Sequence, residues 1–163
     1  MVREAHATGL VVVGPQRWET PPTLTLSDEA LLTPWLRGEK LVLFCHSNNL
    51  DTAADVAVAA AARRALDHRT ATSNATMQIL SEVSLPSALP RPCSVAVFLN
   101  VGILPSTDDL LRSYIHIIGQ ALDDRKPLVI ATCLAQSTDA MVRRFGSPLF
   151  NRMSNSITWT EGN

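Results

Sequence analysis

Apolar and polar positions along the chain alternate between strand-like and helix-like patterns, and the clearest apolar segment is KLVLFCHSNN at residues 40–49. It has no period-two alternation, as expected of a strand buried on both faces, and a length below about eight residues argues against a buried helix. We read it as a central parallel strand that ends in the polar loop His46-Ser47-Asn48-Asn49 and opens the helix that follows. SVAVFLNV at 94–101 and PLVIATC at 127–133 are two more strands of this kind, and LVVVG at 10–14 is a strand running into a turn. Residues 75–83 alternate in part, Met77 and Ile79 against Thr76 and Gln78, which places that strand nearer the sheet edge. SITWTE at 156–161 reads as a final alternating strand.

Helical segments lie between these strands. Ser27-Asp28-Glu29 offers a cap and early acids for a helix over 28–36, which Pro34 should bend or end and Gly38 should stop. Asn49 or Asp51 caps a second helix reaching Asp67, with Asp51 and Asp55 early and Arg63, Arg64 and His68 late, matching the macrodipole at both ends. Its interior, AADVAVAAAARRA, has high helix propensity and little bulk, so it can lie close to the sheet. Ser106 or Thr107 caps a third, with Leu111, Tyr114, Ile115, Ile118, Ala121 and Leu122 on its apolar face and Arg112, His116, Gln120 and Asp123 on the solvated one. A shorter helix is expected over 137–145, and Pro86, Pro90 and Pro92 make a rigid surface connection. Alternating units of this size imply right-handed crossovers. The predicted fold class is α/β, a three-layer sandwich with a mainly parallel five- or six-stranded sheet, as one domain over 1–163.

Composition narrows the function classes. A net charge of −1 over 163 residues, with Arg63-Arg64 and Arg143-Arg144 as isolated doublets, argues against nucleic acid as a partner. Three cysteines, Cys45, Cys93 and Cys133, are odd in number, which points to reduced thiols and an intracellular protein, cytoplasmic by default. Arg3 and His6 leave a short mitochondrial presequence open as the alternative compartment. No stretch approaches the ~18 apolar residues of a membrane span. Mean hydropathy of +0.11 with only 18% charged residues is apolar for a small domain, and points to surface buried in a homo-oligomer or with a protein partner.

In a parallel sheet the carboxyl ends of the strands form one rim, and the candidate ligand-binding residues gather there: His46, Ser47, Asn48, Asn49, Glu82 and Asn100. Glu82, read as the single glutamate at a strand's carboxyl end, is the candidate acid, base or ribose ligand. Cys45 and His46 are neighbours on a strand and point to opposite faces, so a packed core thiol is the better reading of Cys45. The four histidines lack ligand spacing and neither standard phosphate-cradling loop occurs, so no metal and no cofactor is expected. Trp18, Trp35 and Trp159, with Phe145 and Phe150, lie outside the buried strands. They either complete the core from the side or form a partner-binding surface.

Two stretches carry a resemblance. LVLFCHSNNLDTAADVAVAAAARRAL resembles the opening strand, polar loop and first helix of Toll-receptor-type (TIR) domains, and VAVFLNVGILPSTDDLLRSYIHIIGQALDDRKPLVIA is similar to their later strand, loop, helix and strand. Other flavodoxin-like α/β domains share the pattern. The resemblance implies a flavodoxin-like layered fold. In enzymatic TIR domains, which cleave NAD, it also implies a catalytic glutamate on the later helix, where this chain has Ile117. Residues 10–37 have no counterpart in the minimal TIR domain. The first expectation is therefore a non-catalytic interaction or structural module, a subunit of an assembly or homo-oligomer. The second is a nucleotide- or nucleoside-binding enzyme or sensor at the rim with Glu82 as its acid or base, and the third a thiol enzyme dependent on Cys45.

Overall fold

In the computed structural model the described residues are 2–5, 9–14, 18, 20–70, 74–81, 85–99, 108–133, 142–143 and 145–161. They form a seven-stranded sheet. In chain order the elements are β1 (Val2–Ala5), β2 (Leu10–Val13), α1 (Leu26–Leu36), β3 (Val42–Ser47), α2 (Leu50–Asp67), β4 (Ala75–Leu80), β5 (Val95–Phe98), α3 (Asp108–Asp123), β6 (Leu128–Cys133), α4 (Ser147–Arg152) and β7 (Ser156–Thr160). The spatial order is β1-β2-β4-β5-β6-β3-β7. Strands β2 to β7 are mutually parallel, and β1 pairs antiparallel with β2 on one edge.

Two cores sandwich the sheet. On one face Leu43 and Cys45 of β3, Met77 and Ile79 of β4, Val97 of β5 and Val129 of β6 meet α1 and α2. On the other, Val42 and Phe44 of β3, Phe98 of β5 and Ile130 of β6 meet Tyr114, Ile117 and Ile118 of α3 and Leu149 of α4. This is the expected three-layer α/β sandwich, with six parallel strands and a seventh, antiparallel one from the N-terminal segment.

The alanine run does what its bulk allows. Ala53, Ala54, Ala57, Ala60, Ala61 and Ala65 are all buried, and α2 lies against β6, β3, β5 and β4 in turn. Asn49 caps α2, its side-chain oxygen accepting from the backbone N–H groups of Asp51 and Thr52. Thr25, rather than Ser27, caps α1, and the helix continues two residues past Pro34. Its carboxyl end is held by side chains from the end of α2: Arg64 donates to the Lys40 carbonyl at 3.2 Å and stacks over the Trp35 ring, and His68 Nε2 lies 2.8 Å from the Leu36 carbonyl. Gly38, at φ 85°, makes the stop expected of it.

Two other expectations change. β4 is not near an edge but lies between β2 and β5, buried at every position. Its polar residues are held inside by the 85–94 segment: Gln78 Nε2 donates to the Pro92 carbonyl at 3.0 Å and Ser94 bonds the Thr76 backbone. Gln120 is not simply solvated, because its side-chain oxygen accepts from Leu89 N–H at 2.8 Å and pins that segment to α3. The aromatic residues follow the first of their two readings and complete the core from the side: the three tryptophans and Phe145 are each buried, and the indole N–H groups of Trp18, Trp35 and Trp159 donate to Asp55, the Leu41 carbonyl and Asp28. The expected caps Ser106 and Thr107 and most of the 137–145 helix lie outside the described residues.

Candidate functional site

The chain leaves β3 for α2 on one face of the sheet and leaves β6 for α4 on the other, although β3 and β6 are neighbours. Diverging connections of this kind open a crevice at the carboxyl ends of the strands, the usual ligand position in open α/β sheets. The sequence-derived rim therefore coincides with a topological switch point. His46, Ser47, Asn48 and Asn49 stand on it, with Thr132 of β6 in register beside His46. Glu82 and Asn100 lie outside the described residues.

Ser47 is fully buried and is the pivot of the crevice. Its hydroxyl donates to Glu161 Oε1 at 2.6 Å and accepts from Asn49 N–H at 3.0 Å. Glu161 is held in turn by its backbone N–H, which donates to the His46 carbonyl at 3.1 Å. Asn48 is exposed, and Asn49 is engaged in capping α2. The His46 ring is half-buried and stacked on Phe44, 6.1 Å between centroids, on the sheet face opposite Cys45.

Glu161 is the residue that sequence reasoning missed. Glu82 is not the single glutamate at a strand's carboxyl end, because β7 runs parallel to β3 and delivers Glu161 to the same rim. The signal was present in SITWTE, a strand followed at once by an acid; the direction of that strand was what the residues did not state.

The thiol reading of Cys45 does not survive its surroundings. The side chain is fully buried beneath α2, and burial, helped by the negative charge of Asp28, pushes the thiol far above its ordinary value, away from the nucleophilic thiolate. Ile117 is fully buried in the same core as Phe44, Phe98 and Ile130, where a carboxylate would have to be desolvated. His116 is exposed on α3, and Ser113 donates to the Asp109 carbonyl. Among the described residues no group of His, Cys, Asp and Glu has metal-site geometry, and no helix is long and apolar enough to cross a membrane.

A separate cavity lies at the opposite end of the sheet. It measures about 810 Å³ and is lined by β2, β4 and residues 89–94, with Asn74, Ser94 and Lys126 placing it at the amino ends of β4, β5 and β6. No protein-family model matches the chain, and no curated protein matches it.

Proposed function

We propose that the chain is a non-catalytic α/β module that works as a subunit of a homo-oligomer, joined to a second copy through the open edge of β7. The observation that carries this reading is the character of that edge. Asn155 C=O and Glu161 N–H both bond to β3, so the backbone groups of the other parity, at Thr158 and Thr160 and the Ser156 carbonyl, point away from the sheet, while Ser156 N–H is taken by the Ser154 carbonyl. Edge strands that must stay alone are commonly blunted with charge. β7 carries no charged residue, and Thr158 is exposed. An antiparallel pairing centred on Thr158 would set Ser156 of one copy against Thr160 of the other, an isologous contact with no like charges opposed.

Leu31 supports the same surface. It is 63% exposed and lies one turn from Asp28, which accepts the Trp159 indole N–H, so both project from the β7 side of α1. Glu29 on the other side pairs with Arg63 of α2. An apolar side chain flanking an open strand is what edge pairing would cover.

The rim lends less to a nucleotide-handling reading. Glu161 already occupies the Ser47 hydroxyl, and a phosphate brought to the start of α2 would meet that carboxylate.

The test is solution mass by light scattering, with Thr158→Lys alongside. The wild type should run at about twice 17.7 kDa, with unfolding that depends on concentration, and the variant should run as a monomer with its fold intact. A wild type that is monomeric at every concentration, or an oligomer indifferent to Thr158→Lys, would overturn the reading.

A further inference from the structure

We infer that the cavity between the β2-β4 floor and the 89–94 wall is a binding site for a small anionic ligand with a hydrogen-bond-donating head, the chemistry of a nucleoside monophosphate. The inference is independent of the oligomer reading and concerns the end of the molecule away from the rim.

Three observations point to it. The first is size: about 810 Å³ lies within the range of pockets that enclose a whole metabolite. The second is the state of the buried polar groups. Gln78 and Thr76 are 3% and 5% exposed and line the cavity from β4. The Gln78 amide orientation is fixed, because the atom 3.0 Å from the Pro92 carbonyl must be the donor nitrogen. That leaves Gln78 Oε1 facing the cavity without a protein partner among the described residues, and the same holds for Thr76 Oγ1. Buried acceptors of this kind are rarely left unmet, and a ligand donor such as an exocyclic amine or ring N–H would satisfy them.

The third observation is the charge at the mouth. Arg91 is paired with Asp124 at 2.9 Å, but Lys126 has no carboxylate at ion-pair distance among the described residues. The mouth therefore carries one cation in excess, suited to a phosphate or carboxylate. Gln78 is in register with Ala96, and Ala96 with Leu128, so Lys126 stands two strands across and two residues back from Gln78. Strand spacing and rise put the two backbones roughly 12 Å apart, room for a heterocycle and sugar between head and anion. The cavity is also lined by apolar side chains, Val11 and Val13 of β2 beyond Gln78 and Leu89 and Pro90 of the wall, which suit the flat faces of such a ligand.

The test is calorimetric titration of the full chain with adenosine monophosphate, adenosine and inorganic phosphate. Alongside it, the Gln78 side-chain amide resonances are followed by nuclear magnetic resonance. Adenosine monophosphate should bind and shift those resonances. Lys126→Ala should weaken it about tenfold while leaving adenosine unchanged, and Gln78→Leu should weaken both about tenfold. Lys126 is at the mouth, so its variant reports even if Gln78→Leu folds poorly. Absence of binding by both adenosine compounds, binding indifferent to Lys126→Ala, or phosphate binding as tightly as the nucleotide would each overturn the inference.

Discussion

At the carboxyl end of the sheet, Ser47, Asn49 and Glu161 use their hydrogen-bonding capacity on one another and on the backbone around them. At the amino end, on the α3 side, Thr76 and Gln78 are as deeply buried, yet each keeps an oxygen that no described residue meets. The first arrangement is a polar network closed within the chain; the second is open. A buried closed network stabilises and specifies the fold, whereas an open one costs free energy until something fills it. The fold's general preference for ligands at strand carboxyl ends is thus a weaker guide here than the inventory of unmet atoms.

The sharpest way to break that contrast is Ser47→Ala. It removes a hydroxyl that donates to a carboxylate and accepts a backbone N–H, both at a fully buried position. The expected loss is about 2 kcal/mol, the usual magnitude for a buried hydrogen bond to a charged group, or about 4–8 °C in Tm for a chain of this length. A double-mutant cycle with Glu161→Ala should show positive coupling. A loss below about 0.5 kcal/mol would mean that the rim network holds nothing together, and its closed character would no longer set it apart from the cavity.

Much of the fold was readable because the decisive features are local. The unbroken apolar run before His46 specified a doubly buried strand, and Asn49 specified the start of α2. The closely packed alanines of α2 followed from composition alone. The features that escaped are those in which distant segments decide. The alternation of Thr76 and Gln78 with Met77 and Ile79 read as a strand nearer the sheet edge because nothing local shows that the 85–94 segment folds over them and that Pro92 supplies a carbonyl. Glu161 escaped because pattern fixes that 156–160 is a strand but not that it runs parallel beside β3. Four residues containing Arg3 and Glu4 carry too short a signal to announce β1.

Among the described residues, the buried thiols Cys45 and Cys93 sharpen the comparison further, since Cys45 is sealed beneath α2 while Cys93 forms part of the cavity wall. Burial pushes the Cys93 thiol from its ordinary 9.0 up to about 11, and pushes Cys45 higher still. A thiol with a raised folded-state pKa keeps its proton after the unfolded chain has lost one. Its stabilising contribution is full below pH 9 and falls as the pH rises through 9 toward the folded value. Each thiol should contribute a downward slope approaching about 1.4 kcal/mol per pH unit, removed in Cys93→Ala and Cys45→Ala respectively. The slope is best read between pH 9 and 10. Above about 10, Arg64, whose pKa is lowered to about 10 by burial, acts in the opposite sense. Alkylation of the native protein should label Cys93 before Cys45, and labelling of Cys45 first would mean that the α2 side opens more readily than the cavity.

The smallest expected effect is the most discriminating. Thr76→Val keeps the β-branched shape and removes only Oγ1, while the strand contacts of Thr76 with Ser94 run through its backbone. If that oxygen faces an unfilled cavity, the free protein loses no hydrogen bond, and its stability should change by less than about 0.5 kcal/mol, in either direction. This is about a quarter of the effect expected at Ser47, although both hydroxyls are buried. A loss above about 1 kcal/mol would show that Oγ1 has a partner within the folded chain, and the cavity floor would then be as closed as the rim. A neutral Thr76→Val with weakened nucleotide binding would assign the hydroxyl to the ligand, because the same atom would be dispensable for folding and required only when the cavity is filled.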